Sequence, residues 1–215
     1  MKTEGARPAR PRLAAAGFGL FIATAVLVQV GALAFVDRYA VAHLMPWLRP
    51  RNSGLTLASL ALPTPRGPIG SRLFDVWVYP ASVVPSAVLV GVAAWTLRRR
   101  GETQAAATWC ALWVAANAIE LVGKALVSRP ALYFHGVHVI AFDHSLPSGH
   151  TLRSLVAAAA IAGTWRWGRV ALAWAVSVAV ILVPLGWHTP TDIVAGLFAA
   201  MMLAGWAPRA SRSRG

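Results

Sequence analysis

Two long runs of this sequence contain no charged side chain. They are residues 13–36 and 76–97, of which the second includes Pro80 and Pro85. A helix needs about 20 apolar residues to cross the roughly 30 Å hydrocarbon core of a bilayer. The chain is 57% hydrophobic and only 13% charged, which is too apolar for an ordinary water-soluble domain. The sequence therefore predicts an integral membrane protein.

Four further apolar segments complete a predicted bundle of about six transmembrane helices. These segments, with at most two charged side chains each, are residues 103–127, 148–165, 170–187 and 190–207. An even number of spans leaves both termini on the same side of the membrane. We therefore expect an all-α, polytopic membrane domain at residues 13–207, between basic tails at 1–12 and 208–215.

Basic residues gather at alternating ends of the predicted spans. More than half of the Lys and Arg residues lie in clusters at 2–12, 98–100, 166–169 and 209–214. Cytoplasmic loops are enriched in these residues, so both termini should be cytoplasmic, in a plasma (inner) membrane protein. The clusters do not form one basic stripe, so we expect membrane lipids and no nucleic acid as partners. A cleaved signal peptide is the alternative to the first span, but this apolar run is much longer than a usual signal core.

Polar and ionisable side chains at the span ends converge on the opposite, outer face. In the predicted topology this group is Lys124, Arg129, Ser148, His150, Arg153, His188 and Asp192. A charged side chain inside a span is costly unless it is paired or hydrated, so such residues are functional candidates. Unrelated charges would not be expected to share one face, and we therefore predict a site there.

The first motif is Leu-Pro-Ser-Gly-His-Thr at residues 146–151. Ser148 is expected to cap a helix, and Gly149 would let a ligand approach the backbone. The helix dipole would attract an anion such as phosphate. His150 would then stand beside that anion and could donate a proton to a departing oxygen. The alternative is an ordinary helix cap followed by an interfacial histidine.

The second motif is Gly-Trp-His-Thr-Pro-Thr-Asp at residues 186–192. His188 and Asp192 are four positions apart at a helix entrance, so the carboxylate could bind one ring nitrogen and leave the other as a nucleophile or base. The alternative is a structural helix start, with Thr189 as cap, Pro190 in the first turn and Asp192 in a capping box. Capping explains Asp192 but gives His188 no role.

The third motif is Lys-Ala-Leu-Val-Ser-Arg-Pro at residues 124–130. Its cations could hold phosphate oxygens, Arg129 in a bidentate fork and Lys124 as a point charge. Glu120 lies one helical turn before Lys124. A structural pair of these two side chains is therefore the alternative role for Lys124.

These motifs, across residues 124–196, resemble the type-2 phosphatidic acid phosphatase and vanadium haloperoxidase superfamily, in particular its membrane lipid phosphatases. The resemblance implies that His188 attacks phosphorus and becomes phosphohistidine, that Asp192 orients it, and that His150 protonates the leaving group. The implied activity is hydrolysis of a lipid phosphate, either a phosphatidic acid-like phosphomonoester or an isoprenyl diphosphate.

The same resemblance implies no metal and no other cofactor, because fixed cations and backbone amides stabilise the transition-state charge instead. The residues it assigns to the phosphate oxygens are Lys124, Arg129, Ser148 and Gly149. The loop at 131–146 contains three His and one Asp, but no familiar zinc spacing. We therefore predict no metal site there.

Two positions depart from the family's pattern. Four residues separate Lys124 from Arg129 where the family has six, and Leu182 stands where the family's third motif has an arginine. Arg153 follows His150 by three residues and could supply the missing guanidinium, with headgroup binding as the alternative. A catalytically impaired lipid-phosphate binding or scaffold protein is therefore the alternative function. The sequence does not indicate whether the protein forms oligomers.

Overall fold

The structure, a computed structural model, describes residues 10–48 and 69–207. The helices in these ranges are α1 (Pro11–Gln29), α2 (Ala34–His43), α3 (Ile69–Val78), α4 (Val83–Arg99), α5 (Thr103–Leu126), α6 (Gly149–Thr164), α7 (Gly168–Ile181) and α8 (Pro190–Ala204). A small antiparallel hairpin between α5 and α6 adds strands β1 (Tyr133–Phe134) and β2 (Val137–His138). The mainly helical architecture is thus confirmed. The predicted basic tails lie outside the described residues except for residues 10–12.

Apolar helices of membrane-spanning length support membrane association. Within the described ranges, α1 and α5 are long and apolar enough to cross a bilayer, and α3 with α4 adds a third span if this bent pair counts as one. Helices α7 and α8 are apolar but shorter. Val114, Leu126 and Val180 are more than half exposed on the bundle surface, where lipid would surround them. In the described residues, two helices thus have spanning length, or three if the bent pair counts as one span, and the six predicted spans stay a prediction.

The first predicted span, residues 13–36, is broken. Helix α1 ends at Gln29, and a turn at residues 30–33 precedes α2. Within the turn, Gly31 has a φ of +77°, a conformation that glycine adopts without strain. A Cβ added there would also lie 3.0 Å from the Pro130 ring. The chain therefore changes direction before Asp37, which is buried instead of beginning an exposed outer loop.

The second predicted span, residues 76–97, is bent. A short 3-10 helix at Tyr79–Ala81 separates α3 from α4, and the segments on either side of the break differ in direction by 48°. Pro80 has no backbone N–H to continue the helical hydrogen bonding, and Ser82 is extended with a ψ of 164°. The cause of the bend is therefore present in the sequence.

Helix α6 lies at the centre of the bundle, where it packs against α4, α5, α7 and α8. Its buried face includes Ala157, Ala158 and Ala160, small residues that permit close helix approach. At its start, a Cβ added to Gly196 of α8 would lie 2.8 Å from the Ser148 carbonyl oxygen. The beginning of α6 is therefore held directly against α8.

The described basic clusters lie at one end of the bundle. The Arg10 amide donates to the Gly205 carbonyl at 2.7 Å, which joins the start of α1 to the end of α8. The Arg100 guanidinium donates to the Thr164 carbonyl at 2.8 Å, which joins the end of α4 to the end of α6. The opposite end contains the last turn of α5 and the first turns of α6 and α8. All three bear predicted site residues.

A small apolar cluster covers part of that second end. It joins α2 to the connection between α5 and α6, and its members are Ala40, Val41, Met45, Leu48, Leu132, Val139 and Phe142. Other residues of the connection, such as Tyr133 and His135, are exposed. The connection between α5 and α6 therefore has one buried side, which packs against α2.

Candidate active site

His188 and Asp192 are paired at the start of α8. Nδ1 of His188 lies 3.3 Å from Oδ2 of Asp192, which confirms the predicted contact. Thr189 is the N-cap, Pro190 is in the first turn, and Asp192 completes a capping box with Thr189. The capping interpretation is thus confirmed as well, because one carboxylate both caps α8 and contacts the imidazole. Since Nδ1 faces Asp192, Nε2 is the ring nitrogen on the far side.

The Asp192 carboxylate is buried and bound through both of its oxygens. Oδ1 is paired with Arg129, and Oδ2 accepts a hydrogen bond of 2.7 Å from Ser145 Oγ. The Asp192 backbone carbonyl accepts from the Ser148 amide at 2.9 Å. These bonds join α8 to the chain just before α6. They restrict rotation of the carboxylate and so fix its position relative to His188.

Arg129 is the cation of this network. Its guanidinium donates to Asp37 Oδ2 at 2.6 Å and to Thr189 Oγ1 at 2.7 Å, in addition to its pair with Asp192. Its side chain is only 3% exposed. The sequence predicts phosphate binding by Arg129, whereas its contacts here are with two carboxylates and neighbouring hydroxyls. The physical reason is the buried carboxylate on each side, since the guanidinium fork can bind both at once.

Asp37 is a site residue that the sequence prediction missed. Helix α2 buries it to 2% exposure, and its Oδ2 accepts a 2.7 Å hydrogen bond from the Thr191 hydroxyl. Burial raises the pKa of the Asp37 carboxyl above its ordinary value, and the Arg129 guanidinium opposes this rise without cancelling it. A signal was available, because only seven acidic residues occur in the chain and this one directly follows an apolar run.

A second ion cluster lies between α5 and α6. Lys124 Nζ donates to Glu120 Oε1 at 2.6 Å, and Arg153 pairs with Glu120 Oε2. Arg153 also donates to the Ala81 carbonyl at 3.0 Å and to Asn117 at 3.3 Å. The structural pair of Glu120 with Lys124 is therefore confirmed. Headgroup binding by Arg153 is wrong, since Arg153 is 4% exposed inside the bundle.

The Arg153 guanidinium contacts the backbone of Ala81, a residue of a buried apolar cluster. Leu182 is fully buried in an apolar cluster that also contains Ala81. Because Arg153 binds the Ala81 carbonyl, its side chain reaches the edge of this cluster from α6. That Arg153 replaces the arginine absent at Leu182 stays a prediction.

The first turn of α6 is closely packed against Glu120. Ser148 Oγ accepts a 3.3 Å hydrogen bond from the Thr151 amide, which confirms the predicted N-cap. A Cβ added to Gly149 would overlap the Glu120 carboxylate, so this contact requires glycine. The sequence predicts the approach of a ligand at Gly149, and that stays a prediction. The group that contacts Gly149 here is a carboxylate of the chain itself.

His150 lies next to both clusters, because its ring is near that of His188 and it directly follows Gly149, which contacts Glu120. Its ring centroid lies 6.0 Å from that of His188 and 5.2 Å from that of Trp187. It is partly exposed, whereas His188 is 6% exposed. Two imidazoles at this separation can both reach one small bound group, with one ring as nucleophile and the other as proton donor.

Comparisons with protein-family models, with curated proteins and with solved structures gave no match. In residues 10–48 and 69–207, no group of three or more His, Cys, Asp and Glu side chains is arranged to hold a metal ion.

Proposed function

We propose that this protein is a membrane phosphatase that removes a terminal phosphate from a lipid through a phosphohistidine intermediate. The observation that carries the proposal is the arrangement of His188, with Nδ1 on Asp192 and its ring 6.0 Å from that of His150. A histidine fixed by a carboxylate on one nitrogen is suited to act as a nucleophile through the other. A second histidine nearby is suited to general acid catalysis.

In the proposed reaction, Nε2 of His188 attacks phosphorus and forms a P–N bond as the bond to the lipid oxygen breaks. His150 gives its proton to that oxygen, and Asp192 stabilises the positive charge on the His188 ring. Water then attacks the phosphohistidine, and His150 takes a proton from it, so that inorganic phosphate leaves and both rings return to their first state. No metal takes part in either step.

Lys124, Arg153 and the start of α6 are proposed to hold the phosphate oxygens. Lys124 and Arg153 come from different helices and converge on one carboxylate beside Gly149. The helix dipole of α6 adds positive potential at this point. We propose that Arg129 instead helps to position the nucleophile, because its bonds fix the Asp192 carboxylate that orients His188.

We further propose six spans with the active site at the outer membrane face. Support comes from the bundle's two ends, since Arg10 and Arg100 lie at the end opposite to Lys124 and Gly149. Helix α7 has 14 residues and α8 has 15, so at about 1.5 Å per residue each is shorter than a typical bilayer core. Local bilayer thinning and the flanking turn residues would accommodate this difference.

The proposal is tested by measuring phosphate release by the purified protein in detergent with a chelator present. A panel of phosphatidic acid, lysophosphatidic acid and an isoprenyl diphosphate covers the expected lipid phosphates. We expect release from at least one of them, with the rate unchanged by the chelator. Activity that disappears with the chelator and returns with a divalent metal would refute the metal-independent mechanism.

A lipid-phosphate binding or scaffold protein is the second candidate, favoured by one observation. Lys124, Arg129 and Arg153 are each paired with a carboxylate of the chain. A site whose cations are all internally neutralised could keep its fold without turnover. Saturable binding of a lipid phosphate with no phosphate release from any member of the panel would favour this candidate over the enzyme.

A further inference from the structure

The Glu120 carboxylate occupies a position that has the properties of an anion site. Its two oxygens contact two cations from different helices, Lys124 at 2.6 Å and Arg153. The carboxyl group also rests on Gly149, where an added Cβ would overlap it. Glu120 is 8% exposed, so water compensates its charge poorly and these contacts replace hydration.

A bound phosphate would need the same contacts. Under the proposed function, Lys124, Arg153 and the start of α6 are the groups that hold phosphate oxygens. Glu120 already fills the surface of Gly149 and contacts both cations, and its single negative charge offsets one of their two positive charges. A phosphate cannot occupy this space while the carboxylate is there, and its negative charge would be repelled. Binding of phosphate and the present position of Glu120 therefore exclude each other.

We infer that Glu120 is a specificity-determining residue whose carboxylate is displaced by a terminal phosphate but not by the phosphodiester of an ordinary phospholipid. This inference rests on the proposed function. A phosphomonoester carries about −1.5 to −2 charges at pH 7, whereas a phosphodiester carries one. A group with one charge gains little by replacing a carboxylate of the same charge, while a group with nearly two charges and three terminal oxygens gains additional bonds to Lys124 and Arg153.

Selection against phosphodiesters matters in a membrane, where they would compete with the substrate for this site. Phosphodiester headgroups greatly outnumber terminal phosphates in a bilayer, and two unpaired cations at the outer face would bind them. A headgroup must displace the Glu120 carboxylate before it can bind the two cations. Phosphodiesters are therefore excluded, and the terminal phosphate of the substrate binds more weakly than it would without Glu120. Specificity then depends on the charge of the headgroup rather than on its shape.

The inference is tested with Glu120→Gln, which removes the charge and keeps the size of the side chain. Glu102→Gln is the matched control, because Glu102 precedes α5 at the opposite end of the same helix. Calorimetry with inorganic phosphate, on the full chain in detergent, should give about tenfold tighter binding for Glu120→Gln than for the wild type. Glu102→Gln should bind phosphate as the wild type does.

The second measurement adds phosphatidylglycerol, a singly charged phosphodiester, to the same micelles. It should weaken phosphate binding by Glu120→Gln several-fold and leave the wild type unchanged. Equal phosphate affinities, or a Glu120→Gln protein insensitive to phosphatidylglycerol, would overturn the inference. Both measurements report binding, so they remain informative about Glu120 if the wild type hydrolyses no lipid phosphate, an outcome that would refute only the proposed enzyme.

A further variant allows for loss of folding in Glu120→Gln, which leaves two cations without their buried partner. Glu120→Asp keeps the charge but is one methylene shorter, so it cannot reach Gly149 and Arg153 together. It should bind phosphate more tightly than the wild type and less tightly than Glu120→Gln. Wild-type affinity in Glu120→Asp would contradict the inference.

Discussion

Nδ1 of His188 lies 3.3 Å from Oδ2 of Asp192, four residues later in the chain. This contact joins the residue just before the N-cap of α8 to the first turn of the helix, so the local capping turn brings the imidazole and the carboxylate together. The carboxylate is then fixed from outside the helix by Ser145 and Arg129. Sequence neighbours thus form the His188–Asp192 contact, and residues distant in the sequence hold the Asp192 carboxylate in place.

His188→Ala is expected to abolish phosphate release, a loss of at least roughly 10⁴-fold, because no neighbouring side chain can replace an attacking imidazole. Membrane insertion should be unchanged. The measurement is phosphate release per inserted protein, with His138→Ala as the control, since His138 pairs with Asp143 in the connection between α5 and α6. Hydrolysis at the wild-type rate by inserted His188→Ala protein would exclude the phosphohistidine mechanism.

Arg129→Gln is expected to destabilise the fold by about 3 kcal/mol or more, because it leaves the carboxylates of Asp37 and Asp192 buried without a cation. Thermal unfolding in detergent without phosphate measures this effect. The double variant Asp37→Asn with Arg129→Gln should recover part of the loss. A normal unfolding temperature for Arg129→Gln, combined with weak phosphate binding, would restore the role in phosphate binding that the sequence predicts.

Arg153→Gln is expected to cost at least about 2 kcal/mol of transition-state stabilisation, roughly a thirtyfold loss in kcat/KM. The reason is that Arg153 and Lys124 converge where the phosphate is proposed to bind. Arg100→Gln provides the comparison, because Arg100 binds the far end of α6. A near-normal kcat/KM for folded Arg153→Gln protein would mean that Lys124 and backbone amides hold the phosphate without Arg153.

The stability of the protein should depend on pH through Asp37. Because burial raises the folded-state pKa of Asp37 above 3.8, the stability associated with its protonated form is present at low pH and is lost as the pH rises through the raised pKa. Asp37→Asn cannot lose a proton there. Its unfolding temperature relative to the wild type should therefore increase between pH 4 and pH 7. A relative change in the opposite direction would mean that Arg129 outweighs burial.

Cysteine labelling tests the proposed orientation of the bundle. In a Cys110→Ala background, a membrane-impermeant thiol reagent applied to intact cells should label Val137→Cys in the hairpin and should not label Thr103→Cys at the start of α5. Both positions are exposed in the structure. Labelling of Thr103→Cys alone would place the candidate active site on the cytoplasmic face.

The helical architecture and several site contacts were predictable because their causes are local. Apolar runs determine the helices, the four-residue spacing joins His188 to Asp192, and the same spacing joins Glu120 to Lys124. The caps at Ser148 and Thr189 follow from residue type and position. Each of these features lies within one or two helical turns, where sequence spacing specifies distance.

The missed features depend on contacts between distant parts of the chain. Asp37 and Arg129 are 92 residues apart, and no spacing rule connects them. The break after Gln29 requires Gly31, but a glycine within an apolar run does not by itself indicate a turn. Similarly, Arg153 could be placed beside His150 from the sequence, but its pair with Glu120 required the packing of α5 against α6.

The pairing of Arg129 with two carboxylates also has a consequence for biosynthesis. Asp37 and Arg129 emerge from the ribosome before Asp192, which lies 63 residues beyond Arg129. Until α8 is made, only one of the two carboxylate partners of Arg129, Asp37, is present. The network is completed only when α8 is in place, so the last described helix to be synthesised supplies the second carboxylate partner of Arg129. A nascent chain that stops before the N-cap of α8 therefore lacks the carboxylate and the two threonine hydroxyls that the Arg129 guanidinium binds in the full chain.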